Sequence, residues 1–424
     1  MENIKLCEGV DLHLINVSKF KTNLMSVYFN IPLKRDTVTY AALLPSVLKR
    51  GCETAPSLRD ISRKLDDMYS ASLSVGIRTK GDGEVLYFSS EYVADEYIGE
   101  NLTKQIASFL YDFINKPLTE KNGFLKEFVD GEKINLKNTI QGLINDKKEY
   151  AEFKCREAMF GQEGYGMCEA GYVEDLDEIT PQNLFTFYND ILNNAKVDIF
   201  VSGEVNSETV TAVKEALSYS FTPRNADYIE SKIAEVTDCE LRKVVEDADV
   251  VQSKLCMGLR CGVDPASEEY NSLFLASCIF GGSPFSKLFN NVREKLSLAY
   301  YAVARTSKFK SVMMISSGIQ TENYQAAYDE IMLQFKKMQD DEIEDSEIAA
   351  AKKYIKNSLN SMKDSLRGME DYYLSQAIMG TEETVEEVIE KISAIDKQQV
   401  CDVMKKIKFD TVYFLKGKIA KEAE

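Results

Sequence analysis

The chain has 424 residues, 44% apolar and 28% charged with only 8 prolines, a globular composition too long for one ordinary core. Its formal net charge of −17 argues against a nucleic-acid partner, which would need a basic surface, and mostly serves solubility. No stretch approaches the roughly 18 apolar residues of a membrane span, so no membrane partner is expected.

In chain order, Met1–Cys7 lacks the apolar core of a signal peptide. The nine cysteines form no C-x-x-C pair, and together these features predict a reduced, cytoplasmic protein. His13, within Asp11-Leu-His-Leu-Ile, is the only histidine and reads as a structural residue of a strand. Met25, Val27, Phe29 and Ile31 then alternate with outward residues, which predicts a strand with one buried face. After a turn at Lys34–Asp36, Tyr40-Ala-Ala-Leu-Leu opens a helix that stops at Arg50-Gly51. Pro45 has no N–H and crowds the preceding turn at a cost of about 3 kcal/mol, so this helix is expected to start late or kink there. The carboxylate pairs Asp66/Asp67 and Asp82/Glu84 read as solvated faces. A long helical stretch ends at Ala158-Met-Phe-Gly161, and the half closes on a helix at 181–192 and an apolar strand, Val197–Val201.

The second half repeats this order. Leu255, Met257, Leu259, Cys261 and Val263 alternate, with Cys256 and Cys261 expected to pack. A turn at Asp264–Glu269 leads to a helix opened by Tyr270 and stopped at Phe280-Gly-Gly282. A long helical stretch ends at Ala377-Ile-Met-Gly380, then come a helix at 397–406 and the strand Thr411–Leu415. A period of about 210–230 residues is too long for a solenoid. It predicts two tandem copies of one α+β domain, each a mainly antiparallel sheet with helices on one face. The expected boundaries are 1–220 and 246–424, with a linker at 221–245 where Pro223, Asn225 and a charged run break the pattern. Lys416–Glu424 reads as a tail.

Two segments carry a family resemblance. Residues 40–52, Tyr-Ala-Ala-Leu-Leu-Pro-Ser-Val-Leu-Lys-Arg-Gly-Cys, resemble the helix on which insulinase/pitrilysin-type (inverzincin) metallopeptidases bear H-x-x-E-H. Ala42 and Ser46 stand at the two histidine positions and Pro45 at the catalytic glutamate. Glu132-Lys133 resembles the start of the family's third-ligand pattern, which puts Thr139 at the ligand position with Glu132 nearby; on residue types alone, 125–147 is a solvated helix. A methyl and a hydroxyl four residues apart cannot hold zinc, and one histidine cannot supply a two-histidine site. No metal or other cofactor is therefore expected in this chain.

The second segment, residues 281–301, resembles the family's C-terminal signature, a Gly-Gly-Ser turn followed by L-F-x-x-V-R-E-K and L-A-Y. Arg293 and Tyr300 match the family's Arg/Tyr pair, seven residues apart. Residue types alone would pair Arg293 with Glu294 and pack Tyr300 in a core. The resemblance implies half of a clam-shell chamber and a zinc-less subunit of a bacterial heterodimeric peptidase. Its partner, of the same family, would carry the zinc and bind peptide as an added strand. This chain would contribute Arg293 and Tyr300, in trans, to hold the substrate and support the oxyanion. A catalytically dead scaffold of the same fold is the alternative, and a peptide-binding protein without chemistry a third reading. An isolated subunit is expected to be able to form a homodimer.

Overall fold

The computed structural model describes residues 1–217, 221–236 and 240–418. Cys239, the tail from 419 onward and parts of the predicted linker lie outside these residues. No helix among the described residues is long and apolar enough to cross a membrane.

The strands in chain order are β1 (Glu2–Cys7), β2 (Val10–Asn16), β3 (Thr22–Pro32), β4 (Ser74–Lys80), β5 (Gly83–Val93), β6 (Lys196–Gly203), β7 (Arg242–Asp247), β8 (Ser253–Arg260), β9 (Ala299–Ser307), β10 (Val312–Ile319) and β11 (Lys408–Lys416). Five helices bear on function: α1 (Val38–Leu48), α2 (Lys126–Gly142), α3 (Lys147–Phe160), α4 (Glu269–Ser277) and α5 (Leu366–Met379).

Two compact units emerge, and neither is contiguous in sequence. Unit one holds Met1–Gln141, Cys168–Glu230 and Asp364–Ile378. Unit two holds Gly142–Met167, Ser231–Lys363 and Met379–Glu424. Unit one's sheet runs β1-β2-β6-β3-β5-β4, antiparallel except for the parallel pair β2–β6. Unit two's sheet runs β7-β11-β8-β10-β9, antiparallel except for the parallel pair β7–β11. Matching β3 to β8 maps one order onto the other, with the parallel pair in the same place. The chain is thus an α+β protein in which one sheet-and-helix unit occurs twice. β1 has no counterpart among the described residues.

Each unit has its own apolar core. In unit one, Val27, Phe29 and Leu86 of the sheet pack with Leu44, Val47 and Leu48 of α1. In unit two, Met257 and Ile315 pack with Leu273 and Ala276 of α4. Cys256 and Cys261 are fully buried, and burial pushes both thiols up.

The expected one-sided burial of β3 does not hold, because all its residues from Asn23 to Ile31 are buried. The face bearing Ser26, Tyr28 and Asn30 is also covered. α5, from the second half of the sequence, lays Glu370 there, and its carboxylate accepts from Ser26 Oγ (2.6 Å), Tyr28 Oη (3.0 Å) and Ser202 Oγ (2.8 Å). Reciprocally, α3 from the first half packs on unit two, where Ala151 and Cys155 cluster with Cys256, Tyr413 and Leu415. The repeat endpoints Gly161 and Gly380 put Ala151 in register with Glu370. The strand ladders put Cys256, Gly258 and Leu415 in register with Ser26, Tyr28 and Ser202.

The start of the predicted linker is strapped to unit one. Arg224 donates through its backbone N–H to the Glu8 carbonyl (3.0 Å) and through Nη1 to the Leu192 carbonyl (2.5 Å). Tyr228 donates to the buried Asp198 (2.6 Å). His13 is structural, its ring nitrogens 2.8 Å from Asn3 Oδ1 and 2.9 Å from Asp198 Oδ1.

Candidate functional site

In unit one, α1 runs from Val38 to Leu48 with Pro45 inside it, so it does not start late. Pro45 forfeits one helical hydrogen bond. Burial of Ala41, Leu44, Pro45, Val47 and Leu48 on this helix offsets that loss. Its first turn is braced by Thr39 Oγ1, which donates to Asp175 (2.5 Å), and by Arg35, whose Nη1 reaches the same carboxylate (2.5 Å). Burial opposes ionisation of Asp175, but the hydrogen bonds from Arg35 and Thr39 outweigh it and hold the carboxyl below its ordinary range.

Ala42 is half-buried, Pro45 buried and Ser46 exposed. Thr139 is exposed on α2, its hydroxyl donating back to the Asn135 carbonyl one turn earlier (3.1 Å). Glu132 is buried and already engaged, accepting from Arg50 Nε (2.5 Å) and Asn135 Nδ2 (2.9 Å). A methyl, a pyrrolidine ring and two hydroxyls do not fit zinc, and the nearby carboxylate is neutralised by a guanidinium. Among the described residues, no three His, Cys, Asp or Glu side chains converge as metal ligands.

One carboxylate expected to be solvated is not. Glu84 lies in β5 between Ile31 and Thr79 and is only 2% exposed. Neither carboxylate oxygen has a hydrogen-bond partner. Burial, with a smaller contribution from the Glu169 charge, pushes its pKa up to about 8. The sequence reads as a turn there, Gly81-Asp-Gly83, and hides the inward face of the strand that follows.

Unit two carries the second signature. Cys278–Gly282 and Leu288–Lys295 are wide π-helical turns, the second closed by Leu296 N–H to the Asn291 carbonyl (3.2 Å). Such turns are often found at functional sites. Leu288 and Val292 point into the core, which leaves Arg293 outward on the following position. Its guanidinium lies 4.7 Å from the Phe289 ring centroid, and its Nε sits 3.5 Å from Glu294. The chain then turns at Ser297, a non-glycine residue at φ +51°, before entering edge strand β9. Tyr300 leaves that strand 59% exposed, so it is not a core residue.

Arg293 and Tyr300 line one open hollow of about 420 Å³ with Ser297, Gln320 and Asn323. Arg293 also borders a second hollow of about 290 Å³ walled by Gly281, Gly282, Phe289, Tyr301 and Tyr354. Gly281 is needed for this shape, since a Cβ there would lie 2.5 Å from the Ala304 backbone nitrogen. The signature in the sequence points to Arg293 and Tyr300 but carries no sign of Gln320 and Asn323, which arrive from the far end of β10. The left-handed turn at Ser297 has no glycine to announce it.

A duplicated sheet-and-helix fold, a helix whose ligand positions are blank and an exposed Arg/Tyr hollow define a metallopeptidase-type protein with no metal-ligand cluster among the described residues. The chain belongs to the M16 peptidase family, the insulinase/pitrilysin type. It is 31% identical over 411 residues to YmfF, a probable inactive metalloprotease of Bacillus subtilis (strain 168), covering 96% of each chain. Residues 178–355 match the family model described as peptidase M16 inactive domain. The solved structure of a conserved protein from Enterococcus faecalis V583 is 30% identical and superposes with a TM-score of 0.91 over 99% of both chains. A peptidase M16 inactive domain from Pseudomonas fluorescens shares the fold, at TM-score 0.81 and 14% identity, over 100% of this chain and 99% of its own.

Proposed function

We propose that this protein is the non-catalytic subunit of a heterodimeric zinc metallopeptidase that degrades or processes peptides in the cytoplasm. The observation that carries this reading is the split between the units: unit one has lost its ligand set, whereas unit two presents Arg293 and Tyr300 side by side at an open hollow. The zinc belongs to a partner of the same family, and the two chains enclose the peptide between them.

In this reading Arg293 holds a peptide carbonyl with a fork of fixed positive charge, oriented by its stack on Phe289. Tyr300 donates its hydroxyl to the scissile carbonyl oxygen, which gains negative charge as water adds to the carbonyl carbon. Gln320 and Asn323 add amide donors and acceptors for the substrate backbone. The alternative is a scaffold of the same fold, and the Glu294 ion pair favours it by giving Arg293 a partner in its own chain.

The test is affinity capture of this chain from its native cells with mass spectrometry and metal analysis. A partner of similar size bearing H-x-x-E-H, in one-to-one ratio and with zinc, supports the shared peptidase. Capture of an assembly without a zinc peptidase supports the scaffold.

A further inference from the structure

The two sheets differ at one margin. In unit one β2 is covered by β1, whereas in unit two the matching strand β7 is the sheet's edge, with no neighbour on its outer side among the described residues. β7 reads Arg242-Lys-Val-Val-Glu-Asp247. Open edges invite pairing, and proteins usually protect them with charge. This strand carries both signs, positive at its start and negative at its end, so it does not repel an antiparallel copy of itself.

The backbone parity is fixed by the intramolecular ladder. Ala248 N–H donates to the Lys416 carbonyl (2.9 Å), and Arg242 stands opposite Thr411 in the parallel register. The even-numbered residues therefore turn their N–H and C=O groups toward β11, and Lys243, Val245 and Asp247 turn theirs outward. The even side chains are committed: Val244 packs against the Ala151 cluster, and Glu246 accepts from Tyr150 (2.9 Å) and Tyr413 (2.6 Å). Lys243, Val245 and Asp247 are exposed, with Val245 at 61%.

We propose that β7 pairs antiparallel with β7 of a second copy about a two-fold axis at Val245. Val245 then faces Val245 of the other copy, and Lys243 faces Asp247 twice. About six backbone hydrogen bonds form between the outward groups. Opposite charges and apolar pairs directly across a ladder each favour the register by about 0.2–1 kcal/mol. A two-fold at Val244 also satisfies the backbone parity, but it sets Lys243 against Val245 and turns Arg242 toward Glu246, whose carboxylate already accepts from Tyr150 and Tyr413. Registers with the axis between residues are excluded, because they oppose outward groups to groups already bonded to β11. In the dimer each Asp247 gains Lys243 beside its existing neighbour Lys416, now 3.5 Å away. The interface is isologous and closed, which limits assembly to two copies.

The experiment is sedimentation equilibrium of the purified full chain over a range of concentrations, with circular dichroism to confirm folding of each variant. Wild type should show a reversible monomer–dimer equilibrium. Val245→Pro removes an outward N–H that no intramolecular bond uses, and should abolish the dimer while leaving the monomer folded. Lys243→Glu should weaken association at least tenfold, and the double exchange Lys243→Glu with Asp247→Lys should restore most of it. A chain that stays monomeric at high concentration, a dimer indifferent to Val245→Pro, or a double exchange no better than the single would each overturn the proposal.

Discussion

The same helix position is docked in opposite ways in the two units. In unit one, Glu370 enters a nest of three hydroxyls, from Ser26, Tyr28 and Ser202. In unit two, the matching Ala151 lies among Cys256, Tyr413 and Leu415, with Gly258 where unit one has Tyr28. Burying a polar group costs free energy unless it is hydrogen-bonded, whereas an apolar nest needs only shape. The backbone accepts either solution, so the repeat has kept its topology while its two interiors diverged. The surfaces that the family resemblance singles out differ as well: α1 of unit one bears no ligand side chains at the three motif positions, and unit two exposes Arg293 and Tyr300.

The largest expected effect comes from moving the carboxylate into the wrong nest. Ala151→Glu places an acid where the neighbouring Tyr413 hydroxyl is already committed to Glu246, and should cost about 3–5 kcal/mol or prevent folding, read by urea denaturation. Loss under 1 kcal/mol would mean the two nests are not chemically distinct. Glu370→Ala is the reverse test. It strips the acceptor from three buried hydroxyls and opens a cavity, for an expected loss of about 2–4 kcal/mol.

The pH dependence sharpens the contrast further. Burial raises Glu370 to about 7, even against the hydrogen bonds from Ser26, Ser202 and Tyr28, and raises Glu84 to about 8. Both values exceed the unfolded value near 4.5, so between about pH 4.5 and 8 the folded state binds more protons than the unfolded state. These two groups therefore make stability fall as pH rises through that window. Glu84→Gln removes one of them. The variant should match wild type at pH 4 and exceed it at pH 8, read by urea denaturation at the two pH values. Equal stability at both pH values would show that Glu84 is solvated after all. The smallest effect is at Gly281→Ala, where the new methyl meets the Ala304 backbone; about 1–2 kcal/mol should be lost, with peptide-dependent activity of any complex falling alongside.

Much of the fold is legible in the sequence. The period-two strands, the Tyr-opened helices and the matched ends at Gly161 and Gly380 are local signals, and the duplicated sheet order bears them out. What failed has a common cause in tertiary context. Pro45 disfavours a helix by local propensity, yet α1 already begins at Val38 rather than late, with Leu44, Val47 and Leu48 packed around the proline. No helical period says which sheet a helix will cover, so the exchange of α3 and α5 is invisible in the sequence. The buried Ser26 and Tyr28 look solvent-facing there because the carboxylate that satisfies them lies more than 340 residues away. Arg293 and Tyr300 are legible only through the signature around them, since an arginine next to a glutamate signals nothing by itself.

The measurement that bears most directly on the proposed function is peptide hydrolysis by this chain reconstituted with the zinc-bearing partner that the proposal calls for, comparing wild type with Arg293→Ala. Assembly and zinc content should be unchanged, with turnover lowered by about two orders of magnitude, the scale of losing one oxyanion donor. Full turnover by the Arg293→Ala pair would contradict the shared site and leave this chain a scaffold.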